Sequence, residues 1–538
     1  MEFICRESTE IKRNSVNCVE NCPDTDFLEL RLDNQPEKVI TLVDNTEEPL
    51  PGTDVLSYYR RCITDLPAAL ISEILNCLDP KELGIVSCVS TILHKVASEH
   101  HVWKKFYCER WGLPTTPTPP PSSEIPDEKS WRELFVERDF RSKTFLGRCS
   151  LDVLHGHIEA IRTVFLLPSA KLIFSSGYDC VVRMWDLEEG SSIAASSPLG
   201  CTIRAVTADK KLLAAGGTDG FIHFWKSVDG NPHLFDLRGS DSGFRVWEHE
   251  GPISSLALDM NRIYSGSWDM TVHVLDRSTF KCLHILKHTD WVYRVVPHDI
   301  TIVSTCGSDV YVWDTITGNL MTVILDAHVG NVCALARSHG GNFIFTGGED
   351  GAIHMFEITV NGNEAAVLLI AKWIPHSSTV HSLAFEFPWL VSAASDGKLA
   401  LIDVRKLVRA RASNNALEKR VSRIYQVKNR NSVVEPPQRM LHGHECNLFS
   451  VGIGADRIVC GGEEGNVRIW NFTRALEFAE KARSLRGIRL ENRMRRRKLQ
   501  LEMNGKGGRI DQCSVSAKKN STNGVWHKQR RVNGKVKA

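Results

Sequence analysis

A histidine followed 20 to 22 residues later by an acid in a glycine-containing turn occurs six times along this chain. The pairs are His157 and Asp179, His249 and Asp269, His288 and Asp309, His328 and Asp350, His376 and Asp396, His444 and Glu464. A seventh unit, AAGGTDGFIHFW, places Asp219 and Trp225 forty residues after Asp179 and Trp185 but lacks an opening histidine. Apolar and polar residues alternate on both sides of each turn, as in Val182 and Met184 against Arg183 and Asp186, which is the period of paired strands. Successive acids stand 40, 50, 40, 41, 46 and 68 residues apart, room for one four-stranded sheet per unit. Seven such sheets close a ring that leaves only short, protected strand edges. The stretch Cys149 to Leu154 precedes His157 much as Cys282 to Leu286 precedes His288, yet has no unit in front of it. It is expected to complete the seventh sheet and join the two ends of the ring.

The strings LHGH at 154–157 and 441–444, with Trp-Asp or Trp-Asn pairs at 185, 313 and 470, make residues 145–473 resemble a seven-bladed WD-repeat β-propeller. In that family the opening His, a strand Ser or Thr, the turn Asp and the Trp form a buried structural network. The resemblance assigns His157, Ser175, Asp179 and Trp185 to a complete set, and gives the turn position to Asp219, Asp269, Asp350 and Asp396. Leu275, Phe356 and Ile402 replace the Trp, Ala215 and Cys460 replace the hydroxyl, and the turn before Trp313 is two residues shorter. Because a half-satisfied buried network costs more than an apolar one, these degraded blades are expected to lean on packing.

Residues 61–108 have a helical texture. Leu70, Ile71, Ile74, Leu75 and Leu78 follow helical spacing, and Asp79, Pro80 and Glu82 form a capping-box start for the next helix. A unit of about 45 residues usually needs a metal, a disulfide or a partner to cover its apolar surface. The string DLPAALISEILNCLDPKELGIVSCVSTILHKV, with Trp103 after it, resembles an F-box. That resemblance implies docking on a Skp-type adaptor, and through it on a cullin and a RING subunit. The residues it assigns to adaptor binding are Leu66, Pro67, Ile74, Leu75, Leu78, Pro80, Leu83 and Val89. Residues 109–144 hold a proline-rich spacer, LPTTPTPPPSSEIP, and WRELFVERDF, where Trp131, Leu134, Phe135 and Arg138 share one helical face. That face is expected to seat the F-box rigidly on the propeller.

Charge is unevenly spread. The whole chain sums to +2, but residues 471–538 hold 19 bases against 5 acids, or +14. The insert 404–431 holds nine bases against one acid. Residues 1–60 hold 13 acids against 6 bases with few aromatics, a composition that cannot pay for its own ordering and is expected to be disordered. The tail 474–538 is expected to be helical over 486–499 and otherwise disordered. Its basic clusters favour a nuclear location, with the cytoplasm as the other compartment, without making the chain a specific nucleic-acid binder. No apolar run reaches 18 residues, so no membrane partner is expected. Sixteen scattered cysteines form no compact framework and read as free thiols.

F-box/WD receptors of phosphorylated degrons carry arginines just after the apolar residue that follows the opening loop, and Arg162 and Arg204 match that place. Two guanidinium groups on adjacent blades suit a phosphate or carboxylate. Tyr178, Trp268, Tyr293, His381 and Phe449 stand where they can add aromatic anchors. The chain holds no GxxxxGKS, HExxH, GxSxG or paired CxxC, so neither catalytic residues nor a metal or cofactor are expected. The texture most resembles plant F-box/WD-repeat proteins, which implies the non-catalytic substrate receptor of a Skp-cullin-F-box ubiquitin ligase. The other reading is a nuclear WD scaffold without a ligase role.

Overall fold

The computed structural model describes residues 63, 66–98, 101–112, 129–228, 230, 233–239, 243–362, 364–408, 436–442, 446–454 and 456–505. The expectations for residues 1–60, the proline-rich spacer, most of the basic insert, His444 and the tail past 505 fall outside them.

The repeat becomes seven antiparallel sheets of four strands. Six are built from consecutive strands; the seventh takes Leu448–Gly454, Arg457–Gly462 and Val467–Asn471 and is completed by Ser150–Leu154. Ser150 pairs with Asn471 and Leu154 with Val467, the closure expected from the orphan strand. The innermost strands are buried at alternate and often consecutive positions, since each is covered by its own sheet and by the next one. Glycines allow that approach: a Cβ on Gly216 would lie 2.5 Å from Ile253 of the next blade, and one on Gly461 would lie 2.6 Å from Ile161.

In blade one His157 Nδ1 meets Asp179 at 2.6 Å, its Nε2 meets Ser175 Oγ at 2.7 Å, and Trp185 Nε1 donates to the same Oγ at 2.7 Å. The degraded blades correct one expectation. His249, His328 and His376 keep both the acid (2.7, 3.0 and 3.1 Å) and the hydroxyl (2.8, 2.8 and 2.7 Å) although Leu275, Phe356 and Ile402 replace the Trp. Losing the Trp removes one donor from the hydroxyl and leaves the histidine satisfied at both nitrogens, so the network survives truncation. Blade four differs: His288 bonds Ser304 Oγ at 2.7 Å and the Leu286 carbonyl at 3.1 Å, while Asp309 accepts the Asp326 amide instead.

Before the ring come four short helices, α1 (Ala68–Leu75), α2 (Pro80–Val86), α3 (Thr91–Ser98) and α4 (Val102–Trp111), followed by α5 (Trp131–Ser142). Asp79 and Glu82 close the capping box on α2 as their spacing predicts, and Ser130 and Glu133 do the same for α5. Ile71, Leu75, Leu83, Leu93, Trp103, Trp111 and Phe135 form the core of this unit. Phe387, from the turn inside blade six, packs against the same core. Trp111 Nε1 donates to the Phe387 carbonyl at 2.8 Å, Trp389 Nε1 to the Ser142 carbonyl at 2.6 Å, and Arg138 pairs with Glu386 at 2.5 Å. The α5 face thus joins helical unit and ring through one continuous core.

A last helix, α6 (Thr473–Gly505), leaves the final strand and is longer than its basic stretch suggested. Phe472 packs against Phe145 with the rings tilted and their centres 4.9 Å apart, and Ala475 lies over Gly147, where a Cβ would stand 2.6 Å away. Past Arg483, which sits 5.0 Å over the Phe140 ring, its described side chains are exposed.

Candidate functional site

Every innermost strand slips register after its first residue, between Ile161 and Thr163, Ile203 and Ala205, Ile253 and Ser255, Val292 and Arg294, Val332 and Ala334, Val380 and Ser382, and Leu448 and Ser450. The skipped residue is a bulge, which leaves the ladder and re-aims its side chain. The seven skipped residues are Arg162, Arg204, Ser254, Tyr293, Cys333, His381 and Phe449, and all seven line one cavity of about 250 Å³. One residue per blade, at one register, therefore builds a shared site on the ring axis. Trp268 and Glu349 enter it from the turn position just before the acid, and Arg294 and Thr379 complete the lining.

The cavity is cationic and aromatic. The Arg162 guanidinium lies 4.2 Å from the Phe449 ring centre and 5.9 Å from that of Tyr178; Arg204 lies 4.2 Å over Trp268. Trp268 stacks on Trp291 at 4.9 Å, which holds the cation-bearing face of the indole in place. Arg294 donates to the His381 carbonyl at 3.1 Å and the Cys333 carbonyl at 3.3 Å. Burial lowers all three arginines, Arg204 and Arg294 to about 10 with neighbouring guanidiniums adding to the effect, so each stays charged at neutral pH. The neighbours that oppose this fall are Tyr178 and Cys333 for Arg162, Tyr178 and Tyr293 for Arg204, and Cys333 for Arg294. Glu349, the acid of the cavity, is held by the backbone and side-chain amides of Asn331 at 3.1 and 2.9 Å. Burial first, then Arg162 and Arg294, pushes His381 down to about 4, so its imidazole is neutral and bonds Ser395 Oγ at 2.7 Å. Burial, followed by Glu349, pushes the Cys333 thiol up to about 12. Arg162 Nε and Trp268 Nε1 are buried with no hydrogen-bond partner among the described residues. Two idle donors and three charged guanidiniums in a partly dry cavity suit an acceptor-rich, anionic group.

Of the residues singled out from sequence, Arg162, Arg204, Trp268, Tyr293, His381 and Phe449 meet here, while Tyr178 stands half exposed at the rim beside Arg162. Ser254, Cys333, Glu349, Thr379 and Arg294 escaped notice. The first two occupy the register of Arg162 and were findable by extending that register to all seven units.

The helical unit presents a second surface. Leu66, Ile74 and Val89 are 39%, 41% and 70% exposed, and Pro67 is exposed beside them. Leu75 and Leu83 do not belong with them: at 2% and 0% exposure they form the unit's own core, Leu75 on the α1 stripe it shares with Ile71, one position round from Ile74, and Leu83 on the buried side of α2. Leu78 packs partly on that core, and Pro80 lines a cleft with Trp103, Phe135 and Phe387 toward blade six. In their place the outer stripe gains Ile63, Leu70, Ile85 and Ile92, all close to half exposed or more.

Comparison with known proteins agrees with both units. The F-box-like family model matches residues 63–109, and the WD domain, G-beta repeat model matches 148–186 and 319–357. An F-box/WD-40 repeat-containing protein of Arabidopsis thaliana is 58% identical, with all of both chains covered. A DENN domain and WD repeat-containing protein of the same plant, SCD1, is 24% identical over 60% of this chain and 21% of its own. Human F-box/WD repeat-containing protein 9 is 24% identical over 43% of this chain and 42% of its own. With a full-length relative at 58% identity and both domain types matched where their elements stand, the chain belongs to the F-box/WD-40 repeat-containing proteins.

Proposed function

We propose that this chain is the non-catalytic substrate-recognition subunit of an SCF-type ubiquitin ligase. Its F-box binds a Skp-type adaptor, which brings the cullin and RING subunits, and its axial cavity binds the target. One observation carries the reading: Leu70 and Ile74, one turn apart on α1, are exposed beside Leu66, which just precedes the helix, while Ile71 and Leu75 on the neighbouring stripe are buried. A helix with apolar residues on two stripes needs cover on both, and the described residues cover only one. The shared core around Trp111, Phe387 and Trp389 keeps target and adaptor at fixed separation, which raises the effective concentration of an acceptor lysine. The paired guanidiniums of Arg162 and Arg204 favour an acidic or phosphorylated segment of the target. The basic α6 supports entry into the nucleus.

Co-purification of the full chain with a Skp-type adaptor tests the reading. Leu66→Ala with Ile74→Ala and Val89→Ala should weaken binding at least about tenfold, since buried interface anchors cost 1 kcal/mol or more each. Adaptor binding unchanged in the triple variant overturns the docking face, and none by the wild type favours a scaffold without a ligase role. Arg162→Glu with Arg204→Glu should abolish target capture while leaving adaptor binding intact.

A further inference from the structure

Blade two lacks the histidine that holds the turn acid in blades one, three, five and six, and what replaces it is a different set of donors. Blades two and five are directly comparable because GGTDGFIH (216–223) and GGEDGAIH (347–354) share their spacing. In blade five a Cβ on Gly348 would stand 2.5 Å from His328 Nδ1 and 2.7 Å from Asp350 Oδ1. In blade two a Cβ on the matching Gly217 would stand 2.5 Å from Cys201 Sγ and 2.4 Å from Asp219 Oδ1. The thiol thus occupies the place of the missing imidazole, against the same carboxylate.

The next difference concerns His223, the counterpart of His354. His354 lies on the His328 ring at 4.0 Å; His223 has no opening ring to lie on. His223 is 7% exposed, and its Nε2 is buried with no hydrogen-bond partner among the described residues. Cys201, Asp219 and His223 each bring a donor atom within 4.8 Å of the other two. Tetrahedral zinc, with bonds of about 2.3 Å to sulfur and 2.0–2.2 Å to nitrogen or oxygen, spaces its donors about 3.3–3.6 Å apart. Side-chain rotation alone can close that gap.

We propose that blade two binds a zinc ion through Cys201 Sγ, a carboxylate oxygen of Asp219 and an imidazole nitrogen of His223, with the metal taking over the bracing done by histidine in blades one, three, five and six. The donor set selects the metal: one thiolate, one imidazole and one carboxylate suit zinc, whereas calcium and magnesium seek oxygen alone. On binding, the thiol releases its proton to solvent and the sulfur keeps the electron pair it donates. Asp219 is the exposed member, so the ion enters from the rim and the fourth position faces water.

Two other trios come equally close. In His328, Asp350 and His354, His354 Nε2 is idle as well, but both nitrogens of His328 are already bonded, to Asp350 and to Thr346, so the lock is filled. In Glu248, His273 and Cys282, His273 Nδ1 faces Glu248 at 3.3 Å and no buried atom is left idle. Blade two alone, among the described residues, joins a vacated lock to an orphaned ligand nitrogen.

The experiment titrates the full-length protein, stripped of metal under reducing conditions, with zinc and with cobalt(II). One equivalent should bind, cobalt should show thiolate-to-metal absorption, and a chelator should lower the melting temperature. Cys201→Ser and His223→Gln should each weaken binding about tenfold or more, whereas Cys282→Ser should not change it. Absence of zinc binding by the wild type, a cobalt band that survives Cys201→Ser, or loss of binding in Cys282→Ser would each overturn the assignment. Chelator sensitivity of the wild type reads the site even where a variant fails to fold.

Discussion

His288 shows what a single buried side chain does to stability. It bonds Ser304 and a backbone carbonyl, with no acid beside it, and burial pushes its pKa from 6.5 down to about 4. The unfolded chain takes up a proton near pH 6.5 that the native imidazole refuses, so this stability is present above that pH and is lost as pH falls toward 4. At about 1.4 kcal/mol per unit the loss approaches roughly 3 kcal/mol. His354 and His381, both also at about 4, act with the same sign. The urea midpoint should therefore drop between pH 7 and pH 5, and His288→Gln should flatten that slope; an identical slope in the variant would refute the assignment. Residue identity was legible wherever it repeated: Arg162 and Arg204 stood out because two units carry arginine at one register. Arg294 did not, since it stands at a paired ladder position and reaches the site only through its long side chain, which crosses to carbonyls of Cys333 and His381.

Among the elements, α1 shows how far a pattern goes. Helical spacing placed Leu70, Ile71, Ile74 and Leu75 on a helix, and the helix is there. Spacing alone did not say which of two apolar stripes turns inward, because that is decided by Trp103, Trp111 and Phe135, which arrive from α4 and α5. The seat of the helical unit was clearer: Trp131, Leu134, Phe135 and Arg138 share a face, and a tryptophan cluster meets it. Trp111 is the most connected member, edge-to-face with Tyr107 and Phe135 at 5.3 Å each and bonded to blade six. Trp111→Ala should cost the helical unit about 3–5 kcal/mol. Hydrogen exchange should show α1 to α4 losing protection while the blades keep theirs; uniform loss across both would mean that the two units do not open separately.

At the scale of the molecule, the seven-fold count and the closure strand could be foreseen because they are matters of spacing, whereas the strength of each lock could not. Sequence comparison weighs a missing Trp and a missing His alike, yet the structure keeps the His network without the first and changes chemistry without the second. The ring's integrity rests on the pairing of Ser150–Leu154 with Val467–Asn471. A chain ending after Ser484 should melt within a few degrees of the full protein, because α6 touches the body only through its first turns. One ending before Val467 should fail to fold cooperatively, since Ser150–Leu154 loses its only partner strand, Arg457–Gly462 keeps an open edge and the ring is not joined. Calorimetry of the two truncations separates these outcomes.

That pairing also sets a timetable. On the ribosome the F-box helices and the strand 150–154 emerge together, but the strand's partner is more than three hundred residues away. On the reading proposed above, an adaptor can meet the newborn chain long before a target can, because the ring stays unfinished until the last blade leaves the exit tunnel.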